Sequence, residues 1–151
     1  MQLSPNFTLA QLVYSETANR QGIDNRPTDD QVDNLRALAA ALETVQALLG
    51  STLQINSGYR GQALNRAVGG ARESRHTLGL AVDFTCANYG PPLAVAQAIA
   101  ASPLRFDQLI HEYGRWVHLG LAPATCEPRL QTLTICNFNG GYLEGLLDCP
   151  P

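Results

Sequence analysis

All three histidines of the chain lie in two short segments that could together form one metal site. The first segment contains His76 and Asp83, and the second contains His111 and His118. Two imidazoles and one carboxylate are a typical ligand set for zinc with an open fourth position, which is the catalytic form of such a site. The residue types therefore predict chemistry in which a bound ion activates water or polarises a carbonyl group.

The surroundings of Asp83 support this prediction. Asp83 lies within a short apolar segment, residues 81–84, that has the pattern of a buried strand. A carboxylate is costly to bury unless it is paired or binds a metal. His76 precedes it by seven residues, and His118 lies in a second apolar segment, residues 116–119. An aspartate that caps a neighbouring element is the alternative, and these residues alone leave both interpretations open.

The second segment has the pattern of a β-hairpin, and its register decides which side chains meet. A three-residue loop at residues 113–115 would pair Ile110 with His118. Because side chains alternate between the faces of a strand, Glu112 and His118 would then be diagonal neighbours on one face, about 7–8 Å apart at the backbone. A two-residue loop would instead place His111 opposite His118. We favour the first register, which leaves His111 on the other face as a partly exposed residue.

The composition limits the class of protein. A chain of 151 residues is large enough for one domain with an ordinary core. The formal net charge is −3 and the chain has no lysine or arginine cluster, so we expect no nucleic-acid partner. No apolar run reaches the ~18 residues of a membrane helix, so we expect no membrane insertion. The N-terminus lacks the basic and apolar regions of a signal peptide.

The order of predicted elements indicates an α+β domain with a small central antiparallel sheet flanked by helices. Three helices are expected, over residues 7–14, 28–50 and 91–101, with a further helical turn over 62–68. Strands are expected over residues 53–57, 80–84, 106–112 and 116–119, with an edge strand over 130–136. Residues 15–27 are expected to be irregular. We predict a monomer in which residues 1–151 form a single domain and residues 121–151 are a C-terminal extension packed on it.

Four cysteines are too few and too scattered for a disulfide scaffold, and none forms a CxxC pair. Either all are thiols or the chain has one or two disulfides, because three of the four lie in its last 26 residues. Cys136 and Cys149 are the first pair to test. The sequence leaves both possibilities open.

Three motifs in order resemble the zinc D-Ala-D-Ala carboxypeptidases and murein endopeptidases, whose fold is shared with the signalling domain of hedgehog proteins. The motifs are Ser57-Gly58-Tyr59-Arg60, then Ser74-x-His76-x-x-Gly79-x-Ala81-x-Asp83, then Trp116-Val117-His118. The resemblance extends from about residue 3 to residue 121. It implies a hedgehog/DD-peptidase-like fold and a zinc peptidase domain.

The resemblance also implies roles for individual residues. In this family the His and Asp of the second motif and the His of the third motif hold zinc, which implies His76, Asp83 and His118 as ligands here. The Arg of the first motif contacts the substrate or the reaction's oxyanion, which implies this role for Arg60. His111 then lies outside the metal site.

One departure from the family pattern concerns the catalytic acid. Many members place it three residues before the last His, and that position here is Arg115. Glu112 is the nearest carboxylate, and the hairpin register independently places it on the face of His118. We therefore expect Glu112 to act as the general base. The displaced acid leaves a second hypothesis open, a non-catalytic zinc-binding module of the same fold with a binding or structural role.

The substrate is implied only by the resemblance. It would be the peptide stems of peptidoglycan, cut either as by a D-Ala-D-Ala carboxypeptidase or as by an L-Ala-D-Glu endopeptidase. The small size and the lack of a signal peptide suggest an endolysin of a phage, made in the cytoplasm and acting on the cell wall after release. A virion component with the same domain is the other expectation.

Overall fold

A six-stranded sheet forms the centre of the computed structural model, which describes residues 1–150. The C-terminal residue of the predicted domain, Pro151, lies outside the described residues. A separate two-stranded sheet at the N-terminus pairs β1 with β2. The strands are β1 (Gln2–Ser4), β2 (Phe7–Thr8), β3 (Gln54–Ser57), β4 (Ala81–Thr85), β5 (Gln108–Glu112), β6 (Trp116–Gly120), β7 (Gln131–Ile135) and β8 (Leu143–Glu144). The large sheet has the order β3-β4-β6-β5-β7-β8.

Five α-helices and one 3₁₀ helix accompany the strands in residues 1–150. The α-helices are α1 (Leu9–Val13), α2 (Glu16–Gln21), α3 (Asp29–Leu49), α4 (Gln62–Ala67) and α5 (Pro92–Ala100), and the 3₁₀ helix is Arg75–Leu78. The α+β class is thus confirmed, as are the helices predicted over 28–50 and 91–101. The helix predicted over 7–14 is shorter, because Phe7 and Thr8 form β2 and Thr8 caps α1. The expectation that residues 15–27 are irregular was wrong for residues 16–21, which form α2. Ser15 caps α2 and Gly22 ends it in the left-handed conformation, so this short helix forms with only Ala18 buried.

Helix α3 covers one face of the sheet. Thr28 and Gln31 form a capping box at its start, and Gly50 ends it with φ at 66°. Its apolar side chains recur every three or four residues and are buried: Leu35, Leu38, Leu42, Val45 and Leu49. They join Val82, Phe84, Val117 and Leu119 of β4 and β6 in the main core. Because side chains alternate along a strand, Asp83 and His118 must point to the opposite face.

The predicted hairpin register is confirmed. Strands β5 and β6 are antiparallel, Ile110 pairs with His118, and Glu112 pairs with Trp116. Tyr113 occupies the loop with a positive φ of 60°. Glu112 and His118 therefore share the face that α3 leaves open.

The far side of the sheet differs from the prediction in two respects. Strand β7 pairs with β5 in parallel, whereas the other pairs in the sheet are antiparallel. Strands β6 and β7 lie on either side of β5, and the end of β6 and the start of β7 both lie beside Gln108. Residues 121–130 therefore cross β5 at one end of the sheet, and β7 runs parallel to β5. Strand β7 is also not the edge, because β8 pairs with it on the outside.

The chain has a disulfide, so the second of the two alternatives for the cysteines is confirmed. Cys136 and Cys149 form a disulfide, with 5.3 Å between their Cα atoms. Cys86 is a buried thiol and Cys126 an exposed one. Within the described residues, no helix has the length and apolar character needed to cross a membrane.

Candidate metal centre

Three side chains converge on the open face of the sheet. His76 Nε2 lies 3.2 Å from Asp83 Oδ1, and His118 Nδ1 lies 2.9 Å from the same oxygen. All three residues are buried, and one ligand atom from each lies within 4.8 Å of the others. The residues predicted from the two sequence segments therefore form one cluster that could hold a metal ion.

The backbone places each of these side chains. Asp83 and His118 are directly opposite on β4 and β6. His76 lies in the 3₁₀ helix, where Ser74 Oγ accepts a hydrogen bond from the His76 amide at 3.2 Å. Gly79 ends this turn with φ at 76°, and a Cβ there would lie 2.8 Å from the Gln31 carbonyl oxygen. Gly79 thus allows both the turn and its close approach to α3.

The Ser-Gly-Tyr-Arg turn orients His76. The His76 Nδ1 atom donates a hydrogen bond to the Gly58 carbonyl oxygen, at 2.7 Å. Gly58 packs closely against α1, because a Cβ atom added to Gly58 would lie 2.2 Å from the Leu12 carbonyl oxygen. The Arg60 amide then donates to the His76 carbonyl oxygen at 3.0 Å. This turn fixes both the ring and the backbone of His76, as the second shell of a metal ligand typically does.

The hydrogen bond to Gly58 shows that the cluster fits a cation. Burial lowers the pKa of His76, so its ring is neutral near pH 7, although Asp83 opposes this shift. A neutral ring that donates from Nδ1 has a lone pair at Nε2. That lone pair faces the Asp83 oxygen at 3.2 Å. Two acceptors that face each other without a proton between them are stabilised by a cation, and the N, O, N donor set suits zinc.

The other two members of the cluster also favour positive charge at this point. Burial raises the pKa of Asp83, but the two imidazoles outweigh it and hold the pKa well below its usual range. Burial lowers the pKa of His118, but the hydrogen bond to Asp83 and the charges of Asp83 and Glu112 reverse this and raise it. The carboxylates therefore stabilise a cation here, whether a proton or a metal ion.

Glu112 lies beside the cluster but is not among its three members. Its Oε1 atom is 3.9 Å from His118 Nδ1. Trp116 Nε1 donates a hydrogen bond to the same oxygen at 3.2 Å. Burial raises the pKa of the Glu112 carboxyl, and Asp83 adds to this, while His118, Trp116 and Arg60 oppose it. A raised pKa brings a carboxylate closer to the range in which it exchanges protons near neutral pH.

The contact between Trp116 and Glu112 was not predicted. The register alone pairs these residues, and a hydrogen bond from the indole could have been inferred from that pairing. It fixes the orientation of the carboxylate by holding one of its two oxygens. Arg115, the residue at the family's usual acid position, is exposed in the hairpin loop.

Arg60 is a partly buried cation that faces the same cleft. Its Nε atom is buried and has no hydrogen-bond partner within residues 1–150. Burial lowers its pKa, and the charges of Asp83 and Glu112 act in the opposite direction. A guanidinium still remains charged at any physiological pH. A buried N–H without a partner is rare in folded proteins and indicates a group that can bind an anion.

The cleft around the cluster has a volume of about 590 Å³. Trp116 of the third motif also lines it, together with basic and aromatic side chains that the sequence analysis did not single out: Arg75, Arg129, Tyr113, Phe138 and Tyr142. Arg129 binds the buried carboxylate of Asp107 with contacts of 2.7–3.2 Å and holds its pKa below the usual range. Arg75 lies 3.6 Å from Asp107 and completes this group.

His111 lies apart from the cluster, as expected, but it is buried rather than partly exposed. It pairs with Val117 on the core-facing side of the hairpin. Its Nδ1 atom donates a hydrogen bond to the Leu147 carbonyl oxygen at 2.9 Å. The C-terminal residues cover this histidine, and their position could not be inferred from the hairpin alone.

Comparisons with known proteins show which family the chain belongs to. A search of curated proteins finds no match to the chain. The model of the family described as Peptidase M15 matches residues 5–120. This range covers more than half of the chain and contains Arg60, Glu112 and the three clustered residues. The chain therefore belongs to the Peptidase M15 family.

Proposed function

We propose that the protein is a zinc metallopeptidase that hydrolyses amide bonds in the stem peptides of peptidoglycan. The observation that carries this proposal is the position of Glu112, 3.9 Å from His118 in a cleft that also holds the His76–Asp83–His118 cluster. A metal site with only a structural role does not need a partly buried carboxylate beside it. Membership of a peptidase family supports the same conclusion.

His76 Nε2, Asp83 and His118 Nδ1 would hold the ion. Zinc bound there would supply a Lewis acid for the scissile carbonyl and lower the pKa of water toward ~7. Glu112 would take the proton from the attacking water and later return it to the leaving amine. The hydrogen bond from Trp116 would hold the Glu112 carboxylate in position for this step.

Arg60 would bind the negative charge of the substrate or of the reaction. Its unpartnered Nε and its place in the cleft suit either a terminal carboxylate or the oxyanion that develops during attack. The first role predicts carboxypeptidase activity on D-Ala-D-Ala ends. The second is also compatible with an L-Ala-D-Glu endopeptidase.

We further propose a role in bacterial cell-wall lysis, as a phage endolysin that acts after release from the cytoplasm or as a virion component. The support for this is the resemblance of the three motifs to murein peptidases. Zinc as the metal and peptidoglycan as the substrate belong to the same proposal.

The experiment that tests the function is digestion of purified peptidoglycan, followed by mass spectrometry of the released fragments. We expect new amine and carboxyl ends at one type of peptide bond, and the mass of the fragments identifies that bond. Treatment with a chelator should abolish the reaction, and added zinc should restore it. Intact peptidoglycan with a fully zinc-loaded protein would support the non-catalytic module instead.

We expect Arg60→Ala to lower kcat/KM by about 10²–10³-fold, the usual cost of removing one group that stabilises an oxyanion. If Arg60 binds a terminal carboxylate, most of the loss will appear in KM; if it stabilises the oxyanion, most will appear in kcat. Arg20→Ala is the control, since Arg20 forms only an exposed ion pair with Glu16. Steady-state kinetics of both variants measure the effect. Equal kcat/KM values for the two variants would show that Arg60 has no role in the reaction.

A further inference from the structure

We infer that the loop of residues 136–149, here called the disulfide loop, forms a specificity wall of the cleft, where Phe138 binds a carbon-rich group of the substrate next to the scissile amide. This inference rests on the proposed function, because it assigns a binding role within the same cleft. It concerns residues beyond 120, where the match to the family ends.

The chain beyond the family match is hydrogen-bonded to the strand that carries Glu112. Strand β7 pairs with β5 along its whole length, from Gln108 with Gln131 to Glu112 with Ile135. The Tyr113 amide then donates a hydrogen bond to the Ile135 carbonyl oxygen at 2.7 Å. The disulfide loop begins at the next residue, so its start is fixed relative to Glu112.

The other end of the loop is fixed as well. The disulfide joins Cys136 to Cys149, the first and last residues of the loop. Thr134 Oγ1 donates to the Gly145 carbonyl oxygen at 2.8 Å and accepts from the Leu147 amide at 3.0 Å. Both ends of the loop are therefore held, and Phe138 and Tyr142 between them line the cleft.

An aromatic row connects this loop to the candidate base. The Trp116 ring lies edge-on to Tyr113 at 5.4 Å, and the Tyr113 ring lies 4.7 Å from that of Phe138. Trp116 in turn donates its hydrogen bond to Glu112. Tyr113 and Gly114 have φ at 60° and 67°, as a tight hairpin turn requires.

Phe138 contributes little to the core and exposes 85% of its surface, and Tyr142 exposes 58%. Both nevertheless line the cleft. Exposed aromatic surface beside a polar cleft is typical of a binding site, since a ring can pack against a C–H-rich face and exclude water from it. In a stem-peptide substrate such a face belongs either to a sugar ring of the attached glycan or to an aliphatic peptide side chain.

Binding of two defined probes tests the inference. The first is a stem peptide that carries its disaccharide, and the second is the same peptide without sugars. Titration calorimetry on proteins that also carry Glu112→Ala avoids cleavage during the measurement. Because an aromatic contact is worth about 0.5–1.5 kcal/mol, Phe138→Ala should raise the Kd of the first probe about 2–10-fold. A rise for that probe alone identifies the sugar, and a rise for both identifies the peptide.

Tyr14→Ala is the control, because Tyr14 is an exposed aromatic residue, with 63% of its surface accessible, that does not line the cleft. It should leave both Kd values unchanged. The double variant Cys136→Ser, Cys149→Ser should raise Kd as Phe138→Ala does, without affecting zinc content. Unchanged Kd values for Phe138→Ala with both probes would overturn the inference. The cleavage assay on the protein without substitutions tests the proposed function separately, so a failure of the inference can be distinguished from a failure of the proposed function.

Discussion

Replacement of Glu112 by alanine is expected to lower kcat by about 10²–10⁴-fold, the usual contribution of a general acid–base group, while the protein keeps its zinc. The retention of zinc follows from geometry. Glu112 is not among the three clustered residues, and its nearest contact with them is the 3.9 Å distance to His118. Rates of peptide release from peptidoglycan and zinc content by elemental analysis provide the two measurements.

Two further variants make this prediction specific. Glu73→Ala removes another carboxylate that lines the cleft, and it should retain most of the activity. Arg115→Ala alters the position at which many family members carry their acid, and its exposure in the loop predicts activity close to that of the unmodified protein. Wild-type kcat in Glu112→Ala would show that another group accepts the proton.

The central part of the site could be predicted from sequence because it depends on local rules. The hairpin is short, so the length of its loop fixes the register, and the register fixes which side chains share a face. This is why Glu112 and His118 could be placed together and His111 could be excluded. Asp83 was recognisable because a carboxylate within an apolar strand requires a partner. Helix α3 was equally clear from its caps and its apolar periodicity.

The rest of the cleft depends on contacts between residues that are distant in sequence. Strand β7 pairs in parallel with β5, and nothing in residues 131–135 alone specifies that partner or direction. Phe138 and Tyr142 line the cleft from the loop that follows this strand and that the disulfide closes. The burial of His111 has the same origin, since Leu147 covers it. The hydrogen bond from His76 to the Gly58 carbonyl oxygen likewise joins two turns that are 18 residues apart in sequence.

The cleft is built from two parts of the chain, one inside the family match and one outside it. The proposed site residues lie on β4, β5 and β6, in the 3₁₀ helix before β4 and in the turn after β3, all within the family match of residues 5–120. Phe138 and Tyr142 come from the disulfide loop, outside that match. We therefore expect changes in the loop to alter which substrate binds, and changes in the cluster to abolish turnover with any substrate.

The second large effect concerns the stability that bound zinc would add to the fold, and it is expected to differ between the buried residues His118 and His111. His118→Ala is expected to abolish the stabilisation of the fold by zinc, whereas His111→Ala should preserve it. At a zinc concentration about 100-fold above Kd, binding adds about 2.7 kcal/mol to the free energy of unfolding. For a chain of this size that corresponds to a rise in Tm of about 5–10 °C.

The two variants are matched, since both remove a buried imidazole from adjacent strands, and both should be less stable than the unmodified protein without zinc. Of these two histidines, only His118 has a ring nitrogen next to Asp83, at 2.9 Å. Thermal unfolding with and without zinc separates the loss of a ligand from the loss of packing, and it does so without any assay of activity. A zinc-induced rise in Tm that disappears in His111→Ala and persists in His118→Ala would place the metal elsewhere.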